Sequence, residues 1–551
     1  MLKYVWLKRN FLTKFMPWEG IEIRNMESKN KSLKVAFLTL GWKLVQSVWK
    51  IKMGKIKKQK SLKGSNSMEN KENKKKKTVA LFTLRLEIYS INMKKQYGKK
   101  WKSKNRWKVV IVWKIKKIKR KKPLLYLHCG CKVNQYESNA MAQKFLDAGY
   151  SVCGIKENPD VIIVNTCTVT NIADRKSRHI LRKVKEENKN SIVVAVGCYV
   201  QVAKEKVDEI EEIDLSLGNV EKKDIVQIIE CYIENKKRVE KIIDVNKEKE
   251  FLEMGRNTYT EKTRATIKIQ DGCNNFCTYC LIPFARGRIR SRSKENVIKE
   301  VEQIAKKGIK EVVLTGIHIA SYGKENKENN YFLIDLLEDL NKMQGIERIR
   351  LGSLEPTIIT EEFAKRLSKL EKICNQFHLS LQSGCDETLK RMNRKYTTKQ
   401  FEEVAQILRK YFKDVNLTTD IIVGFPGETD EEFEQTYNFL KNISFYKMHI
   451  FKYSPREGTL AQKMPMQVDG NKKEERSEKL IELSNINQEM YNKKYINKKI
   501  MVLFEEKVGD YWEGYTKNYI RVKVKTEENL ENKLQEVVPI KEEKQILIAK
   551  I

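Results

Sequence analysis

Short apolar runs that alternate with helical stretches, twice over, followed by a block of closely spaced strand-like runs, predict an α/β protein built in three parts. The first is a parallel-sheet α/β domain over residues 123–245, the second a partial (β/α)6 barrel over 263–490, and the third a small antiparallel β-barrel over 498–551. A basic extension, 1–122, precedes them and is assigned no fold.

The extension stands apart by charge. It holds 37 Lys and Arg against 6 Asp and Glu, which leaves 72 against 66 for the rest of a chain of net charge +37, so the basic character is local. It carries lysine runs at 74–77 and 114–122 and none of the eleven cysteines, so metal chemistry must be sought beyond it. Its longest uncharged apolar stretch, 35–42, is far short of the roughly 20 residues of a membrane span, and Lys3, Lys8 and Arg9 interrupt any signal-peptide core. A cytoplasmic protein with no membrane partner is expected. The tract reads as a nucleic-acid arm or surface anchor, or equally as a disordered extension or a start placed too far upstream. Within it, Val35 to Lys43 has the form of a strand entering a Gly-x-Lys turn, as Leu124 to Lys132 does, with Trp42 in the place of Cys131; it is a chance similarity or a decayed copy, and a copy without the cysteine would be inert.

In the first domain, strands are predicted at 124–128, 161–165 and 192–196, with helices at 136–148 and 173–187. Ligands of parallel sheets gather beyond the carboxyl ends of the strands. Cys131, Cys167 and Cys198 each fall there, in Gly130-Cys131-Lys132, Thr166-Cys167-Thr168 and Gly197-Cys198-Tyr199, so three loops bring three thiolates to one edge. Cys129, Cys153, Cys231, Cys374 and Cys385 lack this placement and are assigned to packing.

The second domain opens with a strand at 265–270 that delivers Cys273, Cys277 and Cys280. Further strands are predicted at 311–315, 348–351, 377–381, 418–423 and 447–451, with helices such as 293–307 and 397–411 between them. The site of such a barrel lies at the strand carboxyl ends. Thr429 and Glu432 read as a capping box that starts a helix, which makes Glu432 structural. Arg286, Arg288, Arg290 and Arg292 form either a solvated charge run or a loop that contacts a cofactor carboxylate or a phosphate-bearing substrate. The five histidines are left unassigned, and no catalytic acid or base is named. In the last part, strands at 501–505, 511–515, 519–524 and 546–551 carry Tyr, Trp and Lys that would suit RNA contact if exposed.

Three thiolates at C-x3-C-x2-C spacing offer a metal no obvious fourth ligand. Ordinary iron–sulfur centres take four cysteines, and structural zinc is four-coordinate and closed; a zinc knuckle borrowing a distant ligand is the alternative. The spacing resembles the radical S-adenosylmethionine (SAM) signature, in which the open iron takes the amino and carboxylate groups of SAM. Three dispersed cysteines, then this motif, then a terminal barrel resemble the radical-SAM methylthiotransferases over residues 123–551. Gly130-Cys131-Lys132-Val133-Asn134-Gln135-Tyr136-Glu137 and Ile269-Gln270-Asp271-Gly272-Cys273-Asn274-Asn275-Phe276-Cys277 resemble the subgroup acting on threonylcarbamoyladenosine in tRNA. His128-Cys129 and Phe284 depart from the family's usual residues.

The resemblance implies two [4Fe-4S] clusters, one on Cys131, Cys167 and Cys198 and one on Cys273, Cys277 and Cys280, with SAM as cofactor. It implies methylthiolation at C2 of N6-threonylcarbamoyladenosine next to the anticodon, at position 37. The partners implied are tRNA through its anticodon loop and an electron donor such as flavodoxin or ferredoxin, with no DNA. The rival readings are another tRNA adenosine, a ribosomal-protein side chain, or a non-enzymatic iron–sulfur RNA-binding protein.

Overall fold

The chain is seen here as a computed structural model that describes residues 123–236, 242–255, 263–325, 328 and 330–551. The basic extension and the Gly-x-Lys run at 35–43 lie outside the described residues.

The first part is a five-stranded parallel sheet of β1 (Pro123–His128), β2 (Ser151–Val152), β3 (Val161–Thr166), β4 (Ile192–Gly197) and β5 (Leu215–Leu217) in the order β2-β1-β3-β4-β5. Every residue of β3 is buried, as the continuous run Val-Ile-Ile-Val requires of a strand covered on both faces. One layer of core joins Leu124, Ile163 and Val194 to Met141 and Phe145; the other joins Leu125, Ile162 and Val193 to Leu181 and Val184. Those helices are α1 (Lys132–Asp147) and α2 (Asn171–Glu187); α3 (Cys198–Val202) and α4 (Ile225–Asn235) follow. The helix expected from residue 136 begins earlier, because Cys131 is its N-cap and makes no side-chain cap hydrogen bond, so the start carries no Ser, Thr, Asp or Asn signal. By contrast Thr170 caps α2 by accepting from the Ala173 amide. The order reverses between β1 and β3, the point where sheets of this kind bind ligands.

In the second part β6 (Arg264–Lys268) leads into the cysteine loop, whose base is closed by the antiparallel pair β7 (Gln270–Asp271) and β8 (Arg290–Ser291). After α5 (Ile282–Arg286) and α6 (Lys294–Lys306) come β9 (Glu311–Thr315), α7 (Leu333–Asn341), β10 (Arg348–Leu351), α8 (Glu361–Ser368), β11 (Gln376–Gln382), α9 (Thr398–Tyr411), β12 (Asn416–Val423), α10 (Asp430–Ile443) and β13 (Lys447–Lys452). Parallel sheets β10-β9-β6 and β11-β12-β13 meet at bridges Ile349 to Ile373 and Leu354 to Leu379, which makes one curved, open wall of six strands. Along β11, Phe377, Leu379 and Leu381 pack into the core while His378, Ser380 and Gln382 stay half-buried, an alternation of helix-facing and lumen-facing residues. The capping box at the start of α10 forms by half: Thr429 accepts from the Glu432 amide, but the Glu432 carboxylate turns to Arg391 at 3.0 Å.

The long helix α11 (Gly470–Lys493) precedes a closed barrel of β14 (Ile500–Val508), β15 (Tyr511–Thr516), β16 (Arg521–Lys525), β17 (Leu534–Glu543) and β18 (Ile546–Lys550). It has five strands rather than the four expected, and it closes through a parallel pairing of β16 with β18. Its aromatics do not form an exposed RNA platform. Trp512 is buried in the small core, and the rings of Tyr515 and Tyr519 lie against Arg264 at 4.8 and 5.1 Å. Arg348 donates to the Tyr515 and Met501 carbonyls, and Arg264 pairs with Glu505 at 2.6 Å, so the barrel docks at the amino ends of β6 and β10, away from the cysteine loop. No helix among the described residues is long and apolar enough to cross a membrane.

Candidate metal centres

Cys131 and Cys167 sit on strand-end loops, and Cys198 opens α3 directly after β4. Cys131 is exposed, whereas Cys167 and Cys198 are buried. The loops are pressed together. A Cβ on Gly130, whose φ is +88°, would lie 2.4 Å from Cys167 Sγ, so only glycine lets the β1 loop cross that sulfur. Three asparagines tie the loops down. Asn134 donates to the Cys129 and Thr166 carbonyls at 2.9 Å each, Asn165 donates to the Asn134 carbonyl at 3.0 Å, and Asn219 donates to the Ala285 carbonyl at 2.7 Å and to Cys198 Sγ at 3.6 Å. The signal for two of them is local: Asn134 stands three residues after one trio cysteine and Asn165 two before another.

The second trio lies half-buried on the loop after β7. Gly272 has φ +72°, and a Cβ there would lie 1.8 Å from the Arg288 carbonyl oxygen. Sulfur acceptors are met by donors: the Asn275 amide reaches Cys273 Sγ at 3.5 Å, the Ile282 amide Cys280 Sγ at 3.4 Å, and Arg394 Nη1 Cys277 Sγ at 3.2 Å. Arg394 is itself fixed by Glu355 at 2.9 Å. Such bonds stabilise thiolate over thiol and tune a bound metal. Burial, the largest influence, pushes Cys167 and Cys280 up to about 12 and Cys273 to about 11, so in the metal-free chain these are thiols and metal must displace their protons.

The arginine run behaves as neither expected alternative. Arg286, Arg290 and Arg292 are buried and paired within the protein; Arg288 alone is exposed, over the Phe276 ring at 4.4 Å. Arg292 bonds Glu253 at 2.9 Å and also pairs with Glu300. Arg286 leaves its own cysteine loop and reaches the other trio, donating from Nε to Cys198 Sγ at 3.1 Å, from Nη2 to Asn134 at 2.7 Å and to Glu137 at 3.0 Å. Glu137 also pairs with Lys222 at 2.5 Å and Lys268 at 2.7 Å, and Lys268 with Asp271 at 2.5 Å. Burial pushes the Glu137 carboxyl up, but Arg286, Lys222 and Lys268 together outweigh it and hold it well below the usual carboxylate range. With Arg290 3.8 Å from Asp271, two buried carboxylates face four cations.

That surplus of positive charge beside Cys198 suits a bound group carrying net negative charge, as a cluster ligated by three thiolates does. Among the described residues His378, Asp420 and His449 bring three ligand atoms within 4.8 Å of one another. Those three residues stand on adjacent strands of the barrel wall, where His378 is held 3.2 Å from Asp420 and 3.0 Å from the Thr418 hydroxyl.

A sheet with three cysteines at its switch point, joined to an open six-stranded wall that bears a C-x3-C-x2-C loop, defines a radical SAM enzyme with an added cysteine domain. The family comparisons agree: residues 267–440 match the Radical SAM superfamily, and residues 124–218 match the uncharacterized protein family UPF0004. The threonylcarbamoyladenosine tRNA methylthiotransferase MtaB of Bacillus subtilis is 40% identical over 418 residues, 75% of this chain and 92% of that protein. Its namesake in Aquifex aeolicus is 39% identical over 396 residues, 72% and 94%. The tRNA-2-methylthio-N(6)-dimethylallyladenosine synthase of Clostridium novyi is 36% identical over 383 residues, 68% and 84%. The chain belongs to the radical-SAM methylthiotransferase family, in its threonylcarbamoyladenosine tRNA subgroup.

Proposed function

We propose that this chain is a cytoplasmic enzyme that places a methylthio group on C2 of N6-threonylcarbamoyladenosine at position 37 of tRNA, next to the anticodon. The observation that carries this reading is Arg286, which follows one cysteine trio by six residues and bonds a sulfur of the other, so that the two trios act as parts of one site. Cys273, Cys277 and Cys280 would hold a [4Fe-4S] cluster with SAM, and Cys131, Cys167 and Cys198 a second one. When bound, these groups supply the radical chemistry and the sulfur that no side chain can provide.

The chain's own residues bind and orient. The Asn275 and Ile282 amides favour the thiolate form of Cys273 and Cys280, and Arg394 donates to the Cys277 sulfur as Arg286 and Asn219 do to that of Cys198. Phe276 and Phe284 are exposed at the lip of the loop with rings 6.4 Å apart, and Arg288 covers Phe276; exposed rings with a cation suit stacking of an unpaired loop base. An adenosine in the anticodon loop can be splayed into the lumen more cheaply than a paired base. Electrons would come from a small carrier such as flavodoxin or ferredoxin.

The test is mass spectrometry of bulk tRNA from a strain lacking this gene. Loss of the methylthio group from threonylcarbamoyladenosine, restored by the wild-type chain and not by Cys277→Ala, is expected. An unchanged tRNA profile refutes the reading.

A further inference from the structure

The sequence assigns no role to its five histidines, yet folding brings His378 and His449 to one carboxylate. His378 stands on β11, Asp420 on β12 and His449 on β13, three neighbouring parallel strands of the barrel wall. Asp420 is in register with His449, and Thr418, two residues before it, with His378. All three side chains point to the lumen, because their neighbours Phe377, Leu379, Ile421 and Met448 pack into the core behind the wall. One ligand atom of each lies within 4.8 Å of the other two. His378 and Asp420 are half-buried and His449 is exposed, so an ion can reach them. The place is distinct from both cysteine trios, which lie beyond the carboxyl ends of their strands.

His378 Nε2 stands 3.2 Å from Asp420 Oδ2. Two ligand atoms at about 2.1 Å from one ion are that far apart when they subtend about 100°, between the octahedral and tetrahedral angles. Atoms sharing such an ion lie at most about 4.2 Å apart, so an adjustment of under about 1 Å seats all three. The other ring nitrogen of His378 lies 3.0 Å from the Thr418 hydroxyl, which accepts from Gln376 Nε2 at 3.0 Å. An outer partner of that kind fixes the ring and leaves the inner nitrogen to a metal. A structural His–Asp pair accounts for two of the three residues only. The ring of His449 lies 5.8 Å from that of His378, tilted by 42°, and makes no hydrogen bond or ion pair to a side chain among the described residues. Two imidazoles and a carboxylate are the donor set of zinc and its neighbours, whereas magnesium and calcium take oxygen ligands. We infer that His378, Asp420 and His449 bind a single divalent transition-metal ion of the zinc type. Three protein ligands leave a four-coordinate zinc one open position, turned to the lumen and able to take an oxygen ligand. The site depends neither on the clusters nor on the tRNA substrate proposed above.

The probe is zinc, added to full-length protein whose cysteine sites have first been filled with iron and sulfide under anaerobic conditions. Metal analysis after dialysis against a zinc buffer should give about one zinc per chain beside the cluster iron, and X-ray absorption at the zinc edge should show nitrogen and oxygen neighbours at about 2.0–2.2 Å. His449→Ala, at an exposed position, and Asp420→Asn, which keeps the shape of the side chain, should each keep their iron. Each should weaken zinc binding by more than the about 10- to 100-fold that loss of an outer partner costs. Zinc should raise the thermal midpoint of the wild type and leave that of both variants unmoved. Sulfur neighbours at about 2.3 Å place the zinc on cysteines and overturn the inference. So does a wild type that takes up no zinc, or zinc held equally well by both variants. In each of those cases an iron-loaded wild type that still modifies tRNA leaves the proposed function standing.

Discussion

Replacing Arg286 by methionine keeps the length of the side chain and removes its charge and donors. Deleting one partner of a buried ion pair costs about 3–5 kcal/mol, and the lower end applies here because Lys222 and Lys268 continue to neutralise Glu137. That part of the penalty is common to the metal-free and iron-loaded protein. The bond from Nε to Cys198 Sγ at 3.1 Å is not common to both. When the sulfur ligates iron the acceptor is a thiolate, to which a hydrogen bond is worth about 1.5–3 kcal/mol. The iron-loaded protein should thus lose up to that much more than the metal-free protein, a weakening of iron retention at Cys131, Cys167 and Cys198 by up to about 150-fold. The assay is anaerobic reconstitution followed by chelator competition. Wild type should retain about eight irons per chain and Arg286→Met about four, since one [4Fe-4S] site survives. Arg286→Lys, which keeps the charge and loses the fork, should fall between. An Arg286→Met protein with wild-type iron content and an unchanged chelator half-time would refute the reasoning.

Three further outcomes follow from other parts of the molecule. Gly272→Ala should lose iron from the second trio and keep it at the first, because a left-handed φ costs about 1–2 kcal/mol and the added Cβ meets the Arg288 carbonyl at 1.8 Å; equal loss at both sites would contradict this. Glu311→Gln should destabilise the docking of the terminal barrel. Burial raises the Glu311 carboxyl, yet Arg350, Arg264 and Arg348 overcome it and leave it below its ordinary value, so its contribution is full above the unfolded value of about 4.3 and fades as pH falls through the lower folded one. The gap in thermal midpoint between wild type and variant should therefore close on acidification, and a gap that widens below pH 4 would reverse the sign. A chain starting near Lys121 should restore tRNA modification to the deletion strain, and failure despite normal expression would make the basic extension functional.

Features whose causes are local in sequence were legible, and those made by distant partners were not. The six cysteines could be singled out as candidate ligands because three stand just past predicted strands and three share one loop. The strands β2 and β5 were missed because two and three residues leave no pattern to read. The strand β17 was missed because Pro539 and its Glu and Lys residues hide it. The arginine run was misread for a deeper reason. Four arginines in seven residues beside the cysteine loop suggest either a solvated run or a contact with cofactor or substrate, but the partners of Arg286 lie 88 residues away at Cys198 and 149 away at Glu137, and only folding reveals them. The aromatics of the terminal barrel were misjudged likewise, since Tyr515 and Tyr519 face Arg264, about 250 residues earlier in the chain.

The placement of Arg286 bears on how the two halves work together. The first trio is not completed by its own domain: the cation next to Cys198 comes from α5, and Asn219, which also faces that sulfur, is tied to the Ala285 carbonyl of the same helix. Any shift of the loop bearing Cys273, Cys277 and Cys280 that moves α5 therefore changes the field at Cys198. Conversely, Glu137 and Asn134, from the helix that Cys131 caps, fix the position of Arg286. A protein that must run radical chemistry and sulfur delivery on one base needs the two centres held at constant separation, and a buried guanidinium bonded to both sides supplies that constraint more rigidly than an apolar contact, because its hydrogen bonds are directional and leaving any of them unmade is costly.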